Sequence, residues 1–261
     1  MNDDLFSVAG KTALVTGGTR GIGYMIAEGL VKAGARVIVC SRKPDACAEA
    51  AASLSALGDA VAIPADLGDP ENAGRLADEV AATTSELHIL VNNAGATWGA
   101  PFDQFPSSAW NKVLALNLQA PFVLTQRLRP LLERVSTSVD PARVINVGSI
   151  DGIAVPSFEN YSYSASKAAL HHLTRHVAAE LAPRILVNAI APGPFPTKMT
   201  AGVFADRGNE LREAHPLRRF GEADDAAGLA IFLSSRASSY ITGAVIPLDG
   251  GLIATSAASR G

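Results

Sequence analysis

Seven short apolar runs, rich in β-branched and small residues, alternate along this chain with longer Ala/Leu-rich stretches, and that alternation leaves few folds open. The runs are TALVTG (12–17), ARVIVCS (35–41), AVAIPAD (60–66), HILVNNAG (88–95), ARVINVGS (142–149), RILVNAIAPG (184–193) and AVIPLDGG (244–251). Each is apolar on both faces, as strands are in a parallel sheet covered by helices on either side. Stretches such as GIGYMIAEGLVKAGA and ADDAAGLAIFLSS have helical period and fall between them. Strand and helix alternating seven times predict an α/β, doubly wound fold: seven parallel strands flanked by helices and joined by right-handed crossovers. Hydrophobic residues make up 48% of the 261 and charged residues 18%, enough for a large core. No internal repeat or Ser/Gly-rich linker divides the chain, so residues 1–261 are expected to form a single domain. RVSTSVDPAR (134–143) reads as a polar loop, and the small polar residues of 254–261 read as a loose tail.

Composition also excludes. The net charge is -3 and the pI about 6.0, so the chain offers no basic field for nucleic acid. The opening MNDDLFSVAGK is acidic and soon becomes a strand, unlike a secretory signal. No apolar run reaches the roughly 18 residues of a membrane helix. The two cysteines, Cys40 and Cys47, are not expected to pair, which suits a reducing cytoplasm.

The segment TGGTRGIG (16–23) follows the first strand and opens a helix. Gly17, Gly21 and Gly23 permit a tight turn and let backbone N–H groups approach a pyrophosphate at the helix N-terminus, as in Rossmann-like folds. The spacing is G-x-x-x-G-x-G, and no Gly-Lys-Ser/Thr follows, which disfavours a nucleoside triphosphate loop. NAD binders place a carboxylate at the end of the second strand. Here Ser41 and Arg42 stand there, and Arg20 lies within the glycine loop. A guanidinium grips a 2′-phosphate where a carboxylate would repel it, so NADP(H) is expected over NAD(H).

ENYSYSASKAAL (159–170) holds Tyr161, Tyr163 and Lys167. Side chains at i and i+4 share a helix face and those at i+6 do not, so Lys167 partners Tyr163 and leaves Tyr161 a wall or packing residue. Tyrosine ordinarily has a pKa near 10, and an ammonium beside it favours the phenolate. The expectation is a phenol tuned downward to exchange a proton with a substrate oxygen. Ser149 ends the fifth strand at the carboxyl edge, where such sheets bind ligands, and could hydrogen-bond the same oxygen. Asn117 sits mid-helix, where asparagine is mildly unfavourable, which hints at a role for its side chain. His172 and His176 have metal-ligand spacing without the Glu of a His-Glu-x-x-His site. They read as a solvated or subunit-facing surface, and the chemistry expected here needs no metal.

In TGGTRGIG, NNAG (92–95), Asn117, Ser149, YSASK (163–167), APGP (191–194) and DGG (249–251), taken in this order, the sequence resembles the short-chain dehydrogenase/reductase family. The resemblance implies a tetrad of Asn117, Ser149, Tyr163 and Lys167. Tyr163 would be the acid/base and Ser149 would position the substrate carbonyl. Lys167 would hold the nicotinamide ribose and Asn117 a relay water. It implies that Asp66 meets the adenine, Asn93 the adenosine ribose side, and Pro192, Gly193 and Thr197 the nicotinamide end. Thr19, Ile22, Leu67, Ala94 and Gly95 would complete the cofactor site. Within the family, SVAGKTALVTGGTRGIGYMIAEGL, NNAGATWGAPFD and FPTKMT look most like 3-oxoacyl-carrier-protein reductases of the rhamnolipid-biosynthesis type. The expected activity is NADPH-dependent reduction of a 3-oxoacyl thioester or similar ketone, the acyl group free or carried on acyl carrier protein. A sugar, steroid or secondary-alcohol dehydrogenase is the alternative, and a non-catalytic NADP(H) sensor the alternative from another class. A homotetramer is also implied. Residues 197–217 read as a short lid. Arg134 and Arg184 read first as ordinary surface cations and second as residues of the pocket rim that could steer an acidic carrier.

Overall fold

The computed structural model describes residues 5–197, 212–213 and 215–256. Its strands are β1 (Thr12–Thr16), β2 (Arg36–Ser41), β3 (Ala60–Pro64), β4 (Ile89–Asn92), β5 (Ala142–Val147), β6 (Ile185–Pro192) and β7 (Val245–Leu248). They form one seven-stranded sheet in the order β3-β2-β1-β4-β5-β6-β7, every pairing parallel. The helices are α1 (Gly21–Lys32), α2 (Pro44–Ser55), α3 (Pro70–Thr83), α4 (Ser107–Leu114), α5 (Ala120–Val135), α6 (Tyr161–Leu181), α7 (Ala223–Ser234) and the short α8 (Leu252–Ser256).

Strand residues alternate between two apolar layers, as the two-residue period of a strand requires. Ala13, Val15, Val37, Val39, Ile89 and Val91 pack against Ile26 and Leu30 of α1, Leu54 of α2 and Leu233 of α7. Leu14, Ile38, Cys40 and Leu90 face the other way, onto Leu76 of α3, Leu124 and Leu128 of α5 and Leu181 of α6. Helices therefore cover both faces, and the strands are apolar throughout for that reason. Helices α1 and α7 touch closely at Gly29, where a Cβ would stand 2.3 Å from the Ala227 Cβ.

Several strands stop short of the apolar runs that announced them. The run at 88–95 yields a strand only over Ile89–Asn92. Asn93 and Ala94 leave the ladder because both their N–H groups donate to the Thr16 hydroxyl, at 2.9 and 3.0 Å. The strand order reverses between β1 and β4, and the crevice outside their carboxyl ends is where doubly wound sheets bind ligands. The opposite edge is closed by charge: Lys11 pairs with Asp140 at 2.8 Å, and the buried Arg143 donates to the Ser235 carbonyl at 2.9 Å. Cys40 and Cys47 are both buried free thiols. Among the described residues no helix is long and apolar enough to cross a membrane.

Candidate active site

The glycine loop lies between β1 and α1 and is shaped by its missing side chains. Gly17 has φ +64 and Gly21 φ +57, a left-handed backbone that glycine adopts freely. At Gly23 a Cβ would meet Asn93 Nδ2 at 2.3 Å and the Gly17 carbonyl oxygen at 2.5 Å. The Asn93 amide donates to the carbonyls of Thr16 (2.9 Å) and Gly17 (3.2 Å), so the end of β4 holds the loop's backbone in place. Thr197 comes within 3.4 Å of the Cβ position of Gly21, joining the segment after β6 to this loop. Gly193 leaves β6 pressed against Asp249, where a Cβ would be 2.8 Å from the Asp249 Cα. Pro192 ends β6 beside Leu248 of β7.

Arg20 occupies the N-cap of α1, and Arg42 follows β2 in the next crossover. Both are exposed at the carboxyl edge, and among the described residues neither guanidinium makes a hydrogen bond or ion pair. Thr19 and Ile22 are half-buried in the loop. Asp66 is exposed beyond β3, where its carboxylate accepts from Gly68 N at 3.0 Å, while Leu67 beside it is buried.

Ser149, Tyr163 and Lys167 come together past the ends of β4, β5 and β6. The Ser149 hydroxyl oxygen accepts from Asp151 N at 3.1 Å, capping a single 3-10 turn over Ile150–Gly152. The same hydroxyl lies beside the Tyr163 phenol, where it favours the ionised form. Tyr163 and Lys167 are on one face of α6, the lysine Nζ 5.6 Å from the centre of the tyrosine ring. Lys167 is 4% exposed and its Nζ donates to the Val147 carbonyl at 2.7 Å, which ties α6 to the end of β5. Burial raises the phenol to about 12, with the serine hydrogen bond opposing it, and lowers the lysine to about 8. The phenol thus lies above its ordinary value, opposite to the downward tuning expected: burial, helped by Asp151, outweighs the one favourable neighbour, Ser149.

Asn117 stands in a π-helical turn, Ala115–Gln119, between α4 and α5. Its side chain accepts from Ala96 N at 2.8 Å and donates to the Ala96 carbonyl and the Ser166 hydroxyl, both at 2.9 Å. It binds the strap after β4, including Gly95, to the Tyr163–Lys167 turn of α6; Ser166 in turn donates to the Tyr163 carbonyl at 2.7 Å. Tyr161 packs edge-on against Phe102 and Phe105, as a wall residue should. Sequence reasoning missed Asp151 and Asn160, which lie on the loop between Ser149 and Tyr163; an asparagine just before a helix was the available signal.

Arg134 and Arg184 are not at the rim. Arg134 donates to the Ser85 carbonyl ahead of β4, and Arg184 to the Glu133 carbonyl just before β6. Both sit at the amino edge of the sheet, across the molecule from Ser149 and Tyr163, because in a parallel sheet every strand starts at that edge. His172 and His176 line a groove of about 810 Å³ with Leu114, Leu118, Phe122 and Leu173. Among the described residues no group of three or more His, Cys, Asp or Glu could hold a metal ion. Of the expected lid, Met199, Val203, Phe204 and Leu211 lie outside the described residues.

A family profile described as enoyl-(acyl carrier protein) reductase matches residues 17–253, nearly the whole chain. The chain belongs to the short-chain dehydrogenase/reductase family. It is an oxidoreductase of the kind that acts on hydroxyl and carbonyl groups. It is 50% identical to the rhamnolipids biosynthesis 3-oxoacyl-[acyl-carrier-protein] reductase of Pseudomonas aeruginosa, over 94% of this chain and 97% of that one. It is 36% identical to the 5-keto-D-gluconate 5-reductase of Escherichia coli, over 96% and 98% of the two chains. Among solved structures it is similar to the Pseudomonas aeruginosa RhlG/NADP active-site complex, with TM-score 0.92, 49% identity and coverage of 95% of this chain and 98% of that one.

Proposed function

We propose that this protein is an NADPH-dependent carbonyl reductase acting on a 3-oxoacyl thioester or a closely similar ketone, as one catalytic domain over residues 1–261. The glycine loop fits a dinucleotide: Gly17 and Gly21 take the left-handed backbone of a tight turn, and the missing side chains of Gly17 and Gly23 let it, at the start of α1, pack directly on Asn93. Gly17, Thr19, Gly21, Ile22 and Gly23 would hold the pyrophosphate at the start of α1. Arg20, Ser41 and Arg42 would take the 2′-phosphate, Asp66 and Leu67 the adenine, Asn93, Ala94 and Gly95 the adjacent ribose, and Pro192, Gly193 and Thr197 the nicotinamide end. When bound, the reduced cofactor supplies a hydride to the carbonyl carbon. Tyr163 gives its phenolic proton to the carbonyl oxygen, completing the alcohol. Ser149 orients that oxygen by hydrogen bonding, and Lys167 places positive charge beneath the phenol as it becomes negative.

The observation that carries this reading is the buried Lys167 amine, 5.6 Å from the centre of the Tyr163 ring, with Ser149 beside the phenol. The apolar side chains flanking it favour an acyl substrate over a polyol. Phe102 is 75% exposed on the strap after β4, and Val155 is 84% exposed on the loop before α6. Ile153 and Phe158 on the same loop are exposed as well. The 5-keto-D-gluconate reductase relative supports the second reading, a sugar-acid ketone. Free buried thiols suit work in the cytoplasm, and the apolar groove along α4, α5 and α6 suits assembly into a homotetramer. The test is turnover of 3-oxoacyl thioesters, free and carrier-bound, against 5-keto-D-gluconate, each with NADPH and NADH. Thioester reduction with NADPH should be fastest. Faster turnover of the sugar acid, or a preference for NADH, contradicts the proposal.

A further inference from the structure

Asn160 stands at the N-cap of α6, yet its side chain makes no capping hydrogen bond. Asparagine at that position ordinarily accepts from a backbone N–H one turn on. Here Asn160 Nδ2 instead donates to Asp151 Oδ2 at 2.9 Å, nine residues back along the chain. The residue is 8% exposed, and its Oδ1 has no partner among the described residues. A cap has been given up for a bridge.

The two ends of that bridge meet the two groups on which the proposed proton transfer depends. Asp151 N donates to the Ser149 hydroxyl at 3.1 Å. The Asn160 carbonyl accepts from Tyr163 N at 2.8 Å and from Ser164 N at 3.0 Å, opening α6. The path runs from the serine hydroxyl through Asp151 and Asn160 to the tyrosine backbone, and the hydroxyl in turn stands beside the phenol and favours its ionised form. We propose that Asp151, bridged to Asn160, is a positioning residue that locks the Ser149 turn to the start of α6, so that the hydroxyl and the phenol converge on one substrate oxygen. This rests on the acid/base reading of Tyr163.

The carboxylate has a second consequence. Asp151 lies close enough to disfavour the phenolate, so it acts against Lys167, the cation on the same face of α6. Its own carboxyl is held above the usual range by burial, with the Asn160 hydrogen bond opposing. Among the described residues the groups facing the phenol are Ser149 and Asp151 from the turn after β5 and Lys167 from α6; His171, one turn beyond, is kept neutral by burial and by Lys167.

Two substitutions separate the bridge from the charge. Asp151→Asn keeps an acceptor for Asn160 and removes the charge. The rising limb of kcat/KM for alcohol oxidation with NADP⁺ should then move to lower pH, by about half a unit, with kcat within a few-fold of the parent. Asn160→Ala breaks the bridge and keeps the charge. It should lower kcat about tenfold or more, with KM for NADP⁺ and the position of the pH limb unchanged. An unmoved limb in the first variant together with an unchanged kcat in the second overturns the inference. Tyr163→Phe, assayed beside them, separates this failure from the larger one: if it keeps turnover, the acid/base reading falls and this inference falls with it.

Discussion

Burial and charge act on Tyr163 and Lys167 in ways the sequence could only half announce. The four-residue spacing puts the amine under the phenol, and the structure sets it 5.6 Å from the ring centre. Spacing could not reveal that Lys167 is buried and Tyr163 partly so, because burial depends on what the fold lays over them. At neutral pH both hold their protons, the phenol titrating at about 12 and the amine at about 8. As pH rises through the lower value the amine loses its charge while the phenol keeps its proton. Reductive kcat/KM is therefore expected to be level below about 8 and to fall above it. In Lys167→Met that limb should vanish along with most of the rate; an unchanged limb in this variant contradicts the assignment. Asn117 was flagged by its awkward place in a helix, but its partners Ala96 and Ser166 come from two other segments and were illegible.

At the scale of elements, period and composition were enough to place all seven strands, since a strand apolar on both faces has no other use. Their carboxyl ends were overrun, because the short segments after Asn92, Pro64 and Leu248 carry no proline or charge run to mark where the ladder stops and the chain turns away to build the site. The long helical stretch before β5 contains a π-helical turn, Ala115–Gln119, that a 3.6-residue period cannot predict. The glycine loop was legible as a motif, but the pressure of Asn93 from β4 beneath it was not. Gly23→Ala forces a methyl group against Asn93 Nδ2 and the Gly17 carbonyl. It should destabilise the fold by about 1–3 kcal/mol and weaken NADPH binding at least tenfold, read by thermal unfolding and fluorescence titration. Unchanged binding would show that the loop does not cradle the cofactor.

Across the whole molecule the sheet divides the labour. Its amino edge is closed by the Lys11–Asp140 pair and by Arg143, while the carboxyl edge gathers the glycine loop, Ser149, Tyr163 and the exposed Arg20 and Arg42. The rim reading of Arg134 and Arg184 fails on a rule the sequence already offered, since both precede strands and the starting edge of a parallel sheet lies away from the ligand, which leaves them surface cations. The groove over Leu114, Leu118 and Phe122 leaves Phe122 44% exposed, a surface suited to a second copy of the chain. Phe122→Asp should convert a tetramer to smaller species in light scattering, and a monomeric parent protein would reject the assembly. The central claim, that one phenol delivers the proton, is tested most directly by Tyr163→Phe with NADPH and a 3-oxoacyl thioester. Turnover should fall by about 10²–10⁴-fold while NADPH binds as tightly as to the parent protein; turnover retained within a few-fold would contradict it.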